Sequence, residues 1–149
     1  MRRHLLTVSR SQRKAGLVML QRLNPSGIST PAANYSHATL VPPAARWLYA
    51  SGQLGVRPDG TVPDGAAEQA EQAFASVLTI LAEGGMDAGD IVRITAFLTD
   101  LADRAAYMAV RDRHVGAPPP ASTLVVVRAL ALPVFKIEIE VVAARSDTT

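Results

Sequence analysis

Apolar and polar positions alternate with two different periods along this 149-residue chain, and the switches between them mark its elements. Ala38 to Val41 is a short strand candidate, stopped by Pro42-Pro43. From Arg46 to Gln53, Trp47, Tyr49 and Ser51 fall on one face and Leu48 and Ala50 on the other, which is the period of a strand. Pro58-Asp59-Gly60 reads as a turn. Between Ala66 and Glu83 the period changes: Ala70, Ala73, Phe74, Val77, Leu78 and Leu81 recur at helical spacing. Asp64 is placed to cap this helix and Gly84-Gly85 to end it. Ile91 to Thr99 alternates again, with Val92, Ile94, Ala96 and Leu98 sharing a face. Asp100 is placed to cap a second helix, Leu101 to Val115, which Gly116 and three prolines break. Two further strands are expected, Thr123 to Leu130 and Phe135 to Ala144, while Leu23 to Ala33, rich in Pro, Ser and Gly, reads as a loop.

The predicted order is therefore β-β-α-β-α-β-β, an α+β chain. Two helices cannot cover both faces of such a sheet, so they are expected on one. The other face is then left to solvent or to an oligomer. In Ile137-Glu138-Ile139-Glu140-Val141, strand alternation puts Glu138 and Glu140 on one side and the apolar residues on the other. The apolar side suits the helices, so both carboxylates belong on the uncovered face. Acids there need water, a cationic partner or an oligomer cleft.

The Glu-Ile-Glu segment, Pro120-Ala121-Ser122-Thr123, and Tyr49-Ala50-Ser51-Gly52-Gln53 together carry a resemblance to the Rid family (reactive intermediate deaminases, also called YjgF or L-PSP ribonuclease-like proteins). It runs from about Leu23 to Arg145. The resemblance implies a chorismate-mutase-like fold, a mixed sheet with two helices on one face. It also implies a homotrimer with small-molecule clefts between subunits. It casts Glu138 as the carboxylate that orients a water beside an imine or enamine, giving a carbonyl compound and ammonia. Ser51, Gly52 and Gln53 match the family's cleft-lining turn, and Tyr35 matches a tyrosine that overhangs the cleft. Glu140 is read as supporting structure. Without a His or Asp motif beside it, Ser51 is no nucleophile.

The chain also departs from the family. Deaminase members place an arginine after Pro-Ala to grip the substrate carboxylate; this chain has Ser122 there. A hydroxyl cannot replace a guanidinium fork. Met108 and Arg111 stand where deaminases carry an asparagine and a tyrosine. Arg111 could supply the missing charge, but a solvent-facing arginine paired with Asp103 or Asp112 is the plainer expectation. The resemblance thus points to a divergent member lacking the deaminase arginine. The alternative is a non-catalytic metabolite-binding or regulatory protein on the same scaffold.

Charge and composition narrow the field further. Residues 1–18 carry Arg2, Arg3, Arg10, Arg13 and Lys14 and no acid. Removing those five from fifteen basic residues leaves ten against thirteen acids, so the remaining body is about −3. A ribonuclease or translation-inhibitor activity, known among relatives, fits that acidic body poorly, and no nucleic acid is expected on it. The basic tail is read as a disordered extension with Met19 as a candidate native start; residues 19–149 are read as one domain. There is no cysteine, and His4, His37 and His114 lack metal-ligand spacing, so neither a metal nor a cofactor is implied. No apolar run has the length of a membrane span, and a cytoplasmic protein is expected.

Overall fold

The computed structural model describes residues 19–146, so the basic tail and residues 147–149 lie outside it. A short ribbon pairs β1 (Gln21–Leu23) with β2 (Ala38–Leu40). The main sheet has the order β3–β6–β4–β5, from β3 (Arg46–Leu54), β4 (Ile91–Leu98), β5 (Ala121–Val126) and β6 (Ile137–Arg145). Only β4 and β5 run parallel, and the helix α2 (Arg104–His114) supplies the crossover that a parallel pair requires. The other helix, α1 (Ala66–Glu83), packs on β3 and β6, and α2 packs on α1. The mixed sheet with helices on one side is the α+β arrangement expected.

One core forms between helices and sheet. Phe74, Val77 and Leu81 of α1 and Tyr107 and Val110 of α2 meet Ile94, Ala96 and Leu98 of β4 and Ile137, Ile139 and Val141 of β6. Close approach depends on small residues: a Cβ on Gly55 would lie 2.5 Å from the Gln69 Cα. Gly85 ends α1 at φ +68, with its N–H on the Ala82 carbonyl and that of Met86 on Leu81. This 5→2 and 6→1 pattern is a Schellman cap, which favours glycine at the left-handed position.

Several boundaries differ from expectation. Asp64 does not cap α1; Gly65 holds the cap position in extended conformation without a side-chain bond, and Glu68 supplies the negative charge of the first turn. Asp100 does cap, accepting from the Ala102 N–H at 2.9 Å, but it opens a 3-10 turn, Leu101–Asp103, that leads into α2. β5 begins earlier and ends at Val126, because β4 ends at Leu98 and leaves it no partner to continue against. β1 is not among the expected elements, since three residues are too few to show a period. It is held by pairing and by Arg22, which donates to Thr39 Oγ1 at 2.8 Å.

Candidate functional site

Strand register sorts the candidate residues. Glu138 pairs with Leu54 on one side and Phe97 on the other, and Glu140 pairs with Thr95. Ile137, Ile139 and Val141 are buried against the helices, so both carboxylates face away from them. This outer face also carries Tyr49, 74% exposed, stacked with Trp47 at 6.2 Å. Ser122 behaves differently. It pairs with Ile94, and its strand neighbour Leu124 packs against the core, so Ser122 shares the helix side of the sheet. Within one protomer, Glu138 and Ser122 therefore lie on opposite sides.

Around Glu138 the backbone is shaped by a register shift in β3 between Ala50 and Gln53. The irregularity contains Ser51 and Gly52. The carboxyl of Glu138 lies over Gly52; a Cβ there would fall 2.7 Å from the Glu138 Cδ. Glycine at 52 thus makes room for the acid, a closer role than a generic turn. Gln53 folds back and donates to the Ser51 carbonyl at 3.0 Å, closing the bulge. Ser51 is exposed beside it. The structure brings Glu138, Ser51, Gly52 and Gln53 together.

A second group gathers at the sheet's β5 edge. Ser36 donates its N–H to the Pro120 carbonyl at 2.9 Å and its hydroxyl to the Pro119 carbonyl at 2.7 Å. It also bridges to Ala121, which brings Tyr35 alongside the start of β5 and Ser122. Asn34 reaches Asp112 of α2 at 3.4 Å. Tyr35 meets the His37 ring edge-on at 5.7 Å.

Arg111 corrects an expectation. It is not solvent-facing: its side chain is 4% exposed. It lies one turn from Tyr107 on the buried face of α2, and its burial is offset by Asp112, whose Oδ1 accepts from Nε at 2.9 Å and Nη2 at 2.7 Å. Asp103, the other expected partner, instead sits 3.8 Å from Lys136 Nζ. The Tyr107 hydroxyl is buried without a hydrogen bond, and burial pushes its pKa up to about 12, so it remains a neutral donor.

One positioning residue escaped the sequence reading. Gln69, fully buried, donates to the Pro63 and Val134 carbonyls at 2.8 and 2.9 Å and accepts from the Lys136 N–H at 2.8 Å. It pins the segment that leads into Glu138. A polar residue on the apolar stripe of α1 was the available signal. His114 ends α2 and bonds Glu71 of α1 at 2.6 Å, away from both groups. Among the described residues no group of three or more His, Asp or Glu side chains could hold a metal ion. No helix among them is long and apolar enough to cross a membrane.

Two carboxylates thus stand on a sheet face that the helices leave open, with a serine-glycine bulge beside the first. The chain belongs to the Rid family: the family model described as Endoribonuclease L-PSP matches residues 27–145. It is 33% identical over 135 residues to the mitochondrial protein MMF1 of Saccharomyces cerevisiae, covering 90% of each chain. It is 35% identical over 128 residues to the 2-iminobutanoate/2-iminopropanoate deaminase of Capra hircus, covering 83% of this chain and 90% of that one. Among solved structures, a Rid-family protein of Yersinia pestis, YyfB, superposes with a TM-score of 0.75 at 29% identity, covering 85% and 98% of the two chains. Escherichia coli TdcF with bound serine superposes at 0.62 with 31% identity, covering 78% and 91%.

Proposed function

We propose that this protein hydrolyses small reactive imines or enamines, with Glu138 positioning and deprotonating the attacking water. The observation that carries this is the Glu138 carboxyl lying over Gly52 beside Ser51, on a face the helices leave open. Water oxygen adds to the imine carbon while Glu138 takes one proton and returns it to nitrogen. Glu138 then takes the carbinolamine hydroxyl proton and passes it to the amine, the C–N bond breaks as C=O forms, and a carbonyl compound and ammonia leave. Relatives named as imine deaminases support this chemistry. No cofactor enters it.

The site is completed between protomers of a homotrimer on this reading. Two features support it: Glu138 and Ser122 occupy opposite sides of one sheet, and the Glu138 side exposes Trp47 and Tyr49. Tyr35 and Ser122 of one protomer, with Arg111 buried behind them and paired to Asp112, would then close over Ser51, Gly52, Gln53 and Glu138 of the next. The cysteine-free composition suits a reducing cytoplasm, the proposed compartment, which fractionation of the full chain checks. The substrate is a small molecule; neither nucleic acid nor membrane is a proposed partner of the acidic body.

The test is ammonia release from imines generated in place, both carboxylated and uncharged. Glu138→Gln is expected to slow hydrolysis by about 10² to 10⁴-fold with folding unchanged. No acceleration of any imine by the wild type, or a protein that sediments as a monomer, rejects the reading. The binding-protein alternative is favoured by one observation, the pairing of Arg111 with Asp112, which leaves that cation without a free charge. It predicts saturable small-molecule binding without turnover.

A further inference from the structure

The edge beside Tyr35 holds one buried cation, and that cation is already engaged. The Arg111 guanidinium directs both Nε and Nη2 to Asp112 Oδ1, and Asn34, next to Tyr35, reaches the same oxygen. Arg111 is 4% exposed and Asp112 41%, so the pair shows its carboxylate, not its guanidinium, to the outside. Within the same helix the Tyr107 hydroxyl, close enough to feel both charges, is buried and unpartnered. Ser122, carried to this edge by the Ser36–Ala121 bridge, adds a neutral hydroxyl. An anion seated here would meet no unpaired guanidinium and would lie against an exposed carboxylate oxygen.

We propose that Asp112 sets the substrate class by neutralising Arg111, so that the site takes imines bearing an uncharged or hydrogen-bond-donating group in place of a free carboxylate. This rests on the cleft described above, but it concerns binding and is read without turnover. The step from neutral to anionic ligand turns on one charge-assisted contact, which changes affinity by about tenfold or more.

The experiment is equilibrium titration of the full chain with two product analogues of the same shape, pyruvate and its uncharged amide, pyruvamide. Wild type is expected to bind pyruvamide at least as tightly as pyruvate. Asp112→Asn, which keeps an acceptor beside Arg111 but removes the neutralising charge, is expected to shift the ratio of affinities toward pyruvate by about tenfold. A wild-type preference for pyruvate of that size, an unchanged ratio in Asp112→Asn, or binding of neither ligand overturns the proposal. The wild-type comparison stands alone if the variant does not fold. A chain that binds in the expected order yet hydrolyses no imine keeps this inference and removes the catalytic one.

Discussion

The two sides of the four-stranded sheet are built from the same strands and obey opposite rules. On the helix side Ile94, Ala96, Leu98, Ile137, Ile139 and Val141 are buried against α1 and α2. On the other side the alternate positions are Arg93, Thr95, Phe97, Glu138, Glu140 and Tyr49, a mixture no core would accept. Strand alternation alone produces both from one stretch of chain. The helix side holds the free energy of the fold. The open side holds groups that are free to meet a ligand or a neighbour. Substitutions among the core residues just named should therefore change stability, and those around Glu138 on the open side should change chemistry.

The sharpest version of that contrast is Phe74. It is fully buried and stacks on Tyr107 at 6.4 Å and on His114 at 5.0 Å, linking the two helices. Phe74→Ala is expected to cost about 3–5 kcal/mol of stability, measured by chemical denaturation. Where the variant remains folded at low temperature, its hydrolysis rate per folded molecule should match wild type. A stable variant with lost activity would break the division between the two sides.

Gly52 tests the open side. A methyl added there meets the Glu138 side chain from Cγ to the carboxyl, a flexible group that can rotate away. The cost in stability should stay below about 1 kcal/mol, since the strain is relieved by rotation. The carboxyl, however, leaves its place. Misplacement of about 1 Å costs about a hundredfold in rate, so Gly52→Ala should lose about that much turnover at nearly wild-type denaturation midpoint. Equal activity would show that the position of Glu138 over Gly52 is not the working one.

The same contrast explains what could be read in the sequence. The span of α1 was legible because eighteen residues repeat one period around Phe74, Val77 and Leu81. The outward direction of Glu138 was legible because its isoleucine neighbours can only face the helices. The side taken by Ser122 was not, since it depends on the parallel register between β4 and β5, which no local pattern encodes. The burial of Arg111 was hidden for a related reason. Asp112 was an expected partner and is the one found, but a charged residue paired with its neighbour reads as a surface group, and only the packing of α2 puts the guanidinium on the buried face. Gln69 was visible as a polar intrusion on the apolar stripe, but its three partners come from loops at positions 63, 134 and 136.

The smallest expected effect lies at the helix pair's outer edge, where the division between core and surface blurs. Glu71 of α1 receives bonds from His114 and Arg113 at the end of α2. The hydrogen bond from His114, then that from Arg113, holds its carboxyl below the usual range. A depressed folded pKa means that the contribution is present above the unfolded carboxylate value and is lost as pH falls through the folded one. The Glu71 side chain is 42% exposed, so solvent screens the pair and Glu71→Gln should cost less than about 1 kcal/mol near neutral pH. Denaturation midpoints of wild type and variant should begin to converge below about pH 4, the ordinary carboxylate range, and meet once the pH has passed the lowered folded value. A gap that persists in acid would mean that Glu71 acts through packing of its stem on the Phe74 stack, placing it with the core side of the comparison after all.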